Sequence, residues 1–171
     1  MSKTDIQLEG LDDIIKRLES AEDIKALEAG IKKACLRLEA EAKKNAQANG
    51  NKRIAQSITT EVNGTEGVVF TPLFYAPYVE FGTGKFAEGG KGRKEIPWVY
   101  VEDNSSSESN TSKKTYTEEE ANKAVAYLRS KGLNAFKTEG QHPKPFLRPA
   151  LYNNKEKCLK DIKESVWGKN D

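Results

Sequence analysis

Between residues 21 and 48 the apolar side chains recur in steps of three and four: Ile24, Leu27, Ile31, Cys35, Leu38 and Ala42. Lys, Arg and Glu fill the intervening positions. This period predicts one long helix with a single apolar stripe. A stripe of that length has to be covered by a second layer of structure. Gly30 lies inside it at a cost of about 1 kcal/mol relative to Ala, which we read as the mark of a close helix–sheet contact. The run closes in "NAQANGN", where Gly50 suits a helix stop.

The covering layer is legible downstream. Residues 54–63, "IAQSITTEVN", are rich in β-branched side chains and alternate imperfectly, which predicts a strand. Asn63-Gly64 is a turn signal, and "EGVVFTP" follows as a second strand, so the pair reads as a hairpin. "WVYVED" (98–103) predicts a third strand. Upstream, "LDDIIKRL" (11–18) places Leu11, Ile14, Ile15 and Leu18 on one helical face, and Ser20 offers an N-cap for the long helix.

Residues 103–114, "DNSSSESNTSKK", are low in complexity and predict a mobile loop. Thr117 and Glu120 form a capping-box pattern opening a helix with Ala121, Ala124, Val125 and Leu128, which Gly132 ends. "LNAFKTEG" then reads as a short return strand. Residues 103–139 therefore have the form of an insertion in a single domain spanning 1–171. At the C-terminus, "HPKPFLRPAL" leads into Leu151, Cys158, Ile162 and Val166 at near-helical spacing, with Asn154 interrupting the face. Pro149 fits the first turn, where its missing N–H is not needed, and the final "GKND" is expected to fray. The fold class is α+β: an antiparallel sheet packed against a long N-terminal helix and a C-terminal helix, with an inserted loop–helix–strand.

The chemistry available is narrow. The 171 residues carry 28 Lys+Arg and 26 Asp+Glu, a net charge of +2, which alone predicts no nucleic-acid partner. No apolar run approaches the roughly 18 residues of a membrane span, and "MSKTDIQLEG" lacks the apolar segment of a signal peptide, so a cytosolic protein without a membrane partner is expected. Cys35 and Cys158 read as small reduced core residues. His142 is the only histidine, so no histidine cluster can form for zinc, and a nucleophile–His pair would have to recruit that one imidazole. "GTGKF" is not a phosphate loop, because Val79 stands where the first Gly is required and Phe86 where Ser or Thr must follow. Glu39, Glu41, Lys43 and Lys44 read as a solvated helix face. Neither a cofactor nor catalysis is expected.

Two surfaces remain. Lys85, Lys91, Arg93 and Lys94, interleaved with Gly89, Gly90 and Gly92, form the one basic cluster. It is either a soluble loop or a segment that drapes along nucleic-acid phosphates. The other is "YAPYVEFGTGKF" (75–86). Tyr75, Tyr78 and Phe81 share a face if the segment is one short helix stopped by Gly82 and Gly84, with Glu80 pointing elsewhere and Phe86 beyond. Such rings either cap the sheet or serve as contacts for another protein.

"YAPYVEFGTG", followed after a variable stretch by "PFLRPAL" and a C-terminal helix, resembles the bacteriophage tail-component family of head–tail joining and tail-completion proteins. The long Lys-rich helix before Ser57-Ile58 resembles it too. The resemblance covers residues 8–102 and 140–166. It departs after the long helix, where the family's Pro-x-Asp-Thr-Gly turn is replaced by Ala48-Asn49-Gly50-Asn51-Lys52, a sequence still suited to a turn. The resemblance implies a structural, non-enzymatic α+β protein that assembles as a homo-oligomeric, hexameric ring between the head connector and the tail-tube proteins, with DNA passing through. It implies a location in the virion, and in the host cytoplasm during assembly. On this reading the interface candidates are Tyr75, Tyr78, Glu80, Phe81, Phe86, Phe146, Arg148 and Pro149, with Glu80 and Arg148 pairing within or between subunits. The alternative reading is a DNA-binding accessory module using the basic Gly-rich loop 82–94, in which Lys85, Lys91, Arg93 and Lys94 would face DNA.

Overall fold

The computed structural model describes residues 21–90, 92–101, 110–111 and 115–168. The expected helix at 11–18, the Ser20 cap, most of the 103–114 loop, Lys91 and the last three residues lie outside the described residues. The chain forms two compact units, one comprising residues up to Phe74 together with those from Pro145, the other Tyr75–Lys144. The second unit thus contains the expected insertion but begins earlier, at the first residue of "YAPYVEFGTG".

The first unit is organised by the long helix α1 (Ala21–Ala48). Its end is a Schellman motif: Gly50 N–H donates to Gln47 O at 2.9 Å and Asn51 N–H to Ala46 O at 2.8 Å, with Gly50 at φ +80. The apolar stripe buries Leu27, Ile31, Ala34, Cys35 and Ala42, whereas Ile24 at its start is half exposed. A short helix α2 (Lys52–Ser57) follows. This corrects the strand expected from residue 54. Ile54, Ala55 and Ile58 are all buried, and that spacing suits a helical turn against α1 rather than an alternating strand. The hairpin is as expected: β1 (Thr59–Asn63) pairs antiparallel with β2 (Glu66–Phe70), in a register running from Thr59↔Phe70 to Asn63↔Glu66.

After Pro145 come α5 (Leu147–Tyr152) and α6 (Lys155–Trp167), broken at buried Asn154. Asn154 Nδ2 donates to Ala150 O at 2.8 Å, so the polar residue on the apolar face is satisfied at the break. The core joins Leu27, Ile31, Ala34 and Cys35 of α1 to Cys158 and Ile162 of α6, with Val62 and Val69 of the hairpin packed against it. Gly30 marks a helix–helix contact, not the helix–sheet contact expected: a Cβ there would sit 2.9 Å from Ile162 Cα and 3.0 Å from Ser165 Cβ. The close helix–sheet approach is instead made by Gly67 of β2, where a Cβ would clash with Cys35 Sγ and Ile31 Cγ2. Burial pushes the Cys158 thiol up to about 11 and the Cys35 thiol up as well, as expected of inert core residues.

One ion cluster ties α1 to α6. Asp161 is 4% exposed. Arg37 grips it with two bonds, Nε to Oδ2 at 2.6 Å and Nη2 to Oδ1 at 3.0 Å, and Lys33 Nζ lies 2.9 Å from Oδ1. The Arg37 hydrogen bonds, opposed by burial and assisted by Lys33, hold the Asp161 carboxyl below the usual carboxylate range.

The second unit contains α3 (Ala76–Phe81), β3 (Trp98–Val101), β4 (Asn110–Thr111), α4 (Glu118–Ser130) and β5 (Ala135–Thr138). Its sheet has the order β4-β3-β5, all antiparallel. The strands expected to form one sheet therefore divide between two. Val99 packs with Ala121 and Val125 of α4. The capping box of α4 is complete: Glu120 N–H donates to Thr117 Oγ1 at 3.2 Å, and Thr117 N–H to Glu120 Oε2 at 2.8 Å. Gly132, at φ +80, closes the helix.

Candidate functional site

Segment 75–86 folds as the short helix α3 followed by a one-turn 3-10 helix at Gly84–Phe86. Pro77 sits in the first turn of α3, where no N–H is required of it, and Gly82 ends the helix at φ +76. The inward side is not the aromatic one. Ala76, Val79 and Glu80 are buried, Tyr75 and Phe81 are half-buried, and Tyr78 is 57% exposed. Glu80, expected to point away from the aromatic face, lies on the buried side of α3 and is 3% exposed.

The two glycines of "GTG" have a geometric reason unrelated to phosphate. Residues 83–85 run against residues 139–141. Thr83 N–H donates to Gln141 O at 2.9 Å, Lys85 N–H to Glu139 O at 3.0 Å, and Gln141 N–H to Thr83 Oγ1 at 2.9 Å. Gly84 and Gly140 sit at the crossing, where a Cβ on either would clash with the carbonyl of Glu139 or Thr83 respectively. Gly92 presses on Gly84 O in the same way. Lys144 N–H donates to Val79 O at 2.8 Å, and the Phe86 ring lies 3.8 Å from that of His142. "FGTGKF" and "EGQHPK" thus form a backbone clasp that holds α3 in place. The Thr83 and Lys85 amides are spent on this clasp and those of Phe86 and Ala87 on the turn, so these four are not offered to an anion.

The remaining candidates are dispersed. Phe146 is fully buried in the first unit. Its carbonyl accepts from Asn45 Nδ2 at 3.1 Å, and that of Pro145 from Asn49 Nδ2 at 3.2 Å. The end of α1 therefore anchors "PFLRPAL". Arg148 and Pro149 are half-buried in the first turn of α5. Of the basic cluster, Lys85 is ion-paired to Glu139 and lies over the Phe86 ring at 5.0 Å. Arg93 Nε is 4.0 Å from Glu95, and its guanidinium lies 5.2 Å from the Trp98 ring. Lys94 is exposed. Two of the three described cations therefore have a carboxylate beside them.

Several exposed aromatics escaped the sequence reading, Tyr127 and Tyr152 as well as Phe74. Phe74 is 62% exposed. The signal was available, because it lies four residues before Tyr78 in a stretch bounded by Pro72 and Pro77. The clasp had no such signal, since its two segments are 58 positions apart. Among the described residues no group of three or more His, Cys, Asp or Glu could hold a metal ion, and no helix is long and apolar enough to cross a membrane.

Residues 12–82 match the family model described as "Bacteriophage HK97-gp10, putative tail-component". The match contains α1, α2, the hairpin and α3 to its terminal glycine, and it bears out the tail-component resemblance over this segment. "PFLRPAL" lies beyond it. No curated protein and no solved structure matches the chain.

Proposed function

We propose that this protein is a structural component of a phage particle that completes the junction between head and tail, working as a homo-oligomeric ring against the head connector and the tail tube. The observation that carries this reading is the family match over residues 12–82, which ends on the helix that holds Tyr78 outward. Phe74 and Tyr78 are rigid aromatic anchors flanked by prolines, with little rotamer freedom to lose on contact. Tyr75, Phe81 and Phe86 are half-buried beside them in sequence. Glu80 is buried and supports the helix that carries Tyr78 rather than serving as contact surface, and Phe146 is a core residue of the first unit. The role is architectural and not enzymatic. The protein works in the virion, after assembly in the host cytoplasm. DNA passes along the ring without being read.

Deletion of the gene, followed by electron microscopy of the lysate, tests the proposal. Full heads and tails accumulating unjoined, or tails of faulty length, are expected. Normal infectious particles would overturn it.

A further inference from the structure

The β1–β2 hairpin is a sheet of two strands, so each strand has used one edge and offers the other. Among the described residues neither outer edge is paired, and no hydrogen bond from outside the hairpin reaches the backbone of residues 59–63 or 66–70. Of the charged guards common on sheet edges, each strand carries only one Glu, Glu61 and Glu66. β1 reads "TTEVN" and β2 "EGVVF", with no Lys and no Pro in either. The other sheet is treated differently. Along β5, Arg129 Nε donates to Ala135 O at 2.9 Å and Lys137 stands within the strand.

The hairpin is held flat on α1 by its inner face. Gly67 lies against Cys35 and Ile31, and Val62 and Val69 pack on the same core. Alternation then turns Val68 outward, 52% exposed, opposite Glu61. The two free edges are thus preorganised, and they differ from one another: β1 is Thr-rich, β2 apolar.

We infer that these edges join copies of this chain, β1 of one copy adding to β2 of the next, so that the two-stranded sheets run on from subunit to subunit. A partner of any other kind would satisfy one edge and leave the second bare. A second copy satisfies one edge of each and presents the same unlike pair again. Such a head-to-tail contact is heterologous and is fully satisfied only when it closes into a ring. The inference rests on the ring reading above and names its interface.

The test compares the purified full chain, dilute and monomeric, with the same chain in isolated particles. Amide exchange is followed in peptides covering 58–71, and a lysine-reactive cross-linker reports contacts between copies. Cross-linked multimers are expected, with hairpin amides exchanging about tenfold slower or more in the particle than in the monomer. Multimers without added hairpin protection would overturn the inference and leave the ring intact. Hairpin amides already protected in the monomer would overturn it too. No cross-links between copies in the particle would sink both readings. Val68→Lys places the usual edge guard on an outward side chain. It is expected to leave the monomer's melting temperature unchanged and to cut multimer yield about tenfold, while Val68→Ile retains it. Equal yields from the two variants would count against the inference.

Discussion

Three residues carry sharply different demands although two are the same amino acid. Gly84 and Gly132 both have positive φ, +57 and +80. A Cβ at Gly132 would meet nothing within 4 Å, whereas at Gly84 it would clash with the Glu139 carbonyl. Gly132→Ala is therefore expected to cost about 1 kcal/mol, the strain of the left-handed conformation alone. Gly84→Ala adds a backbone collision and is expected to cost about 3 kcal/mol or more; denaturant titration of both variants checks the difference. Asp161 is the third. Its pKa is lower folded than unfolded, so it contributes stability above the ordinary carboxylate range that is lost as pH falls through the folded value. Asp161→Asn should lower stability near neutrality, but by less than a fully buried pair would lose, because Lys33 and Arg37 remain partly in water. Thermal melts from pH 3 to 7 should show a shallower acid dependence in the variant than in the parent.

At the scale of elements, the helix ends were legible because their chemistry is local. The capping box at Thr117 and the stops at Gly50 and Gly132 stand where the sequence places them. Thr117→Ala should cost about 1 kcal/mol, read as a lower melting temperature. What local reading misjudged was residues 54–58, whose β-branched content favours a strand while burial against α1 makes a helical turn of 52–57. The α1–α6 pair makes its own prediction. Cys35 and Cys158 are buried with raised thiol pKa values. Neither should react with a thiol reagent at pH 8 until the protein unfolds. A raised folded pKa also means that stability held below the unfolded thiol value declines as pH rises toward about 11 for Cys158.

At the scale of the whole molecule, the proposed anchors are separable from the fold. Phe74→Ala and Tyr78→Ala remove mostly exposed rings. Each is expected to leave the melting temperature within about 0.5 kcal/mol equivalent of the parent, while phage yield in a complementation assay falls. A loss of stability matching the loss of yield would return these rings to a packing role.

The pattern of three- and four-residue steps, the turn at Asn63-Gly64 and the caps determined α1, the hairpin and α4 from sequence alone, because periodicity and capping act over a few residues. "YAPYVEFGTG" and "PFLRPAL" together carried the tail-component resemblance, which the family match supports over residues 12–82. Only the tertiary structure decided that Gly30 meets a helix and Gly67 the sheet approach, that Glu80 turns inward while Tyr78 turns out, and that "GTG" is clasped by residues 139–141. Each of these is a contact between segments far apart in the chain, and burial on folding, not local propensity, selects among the faces a short element can present.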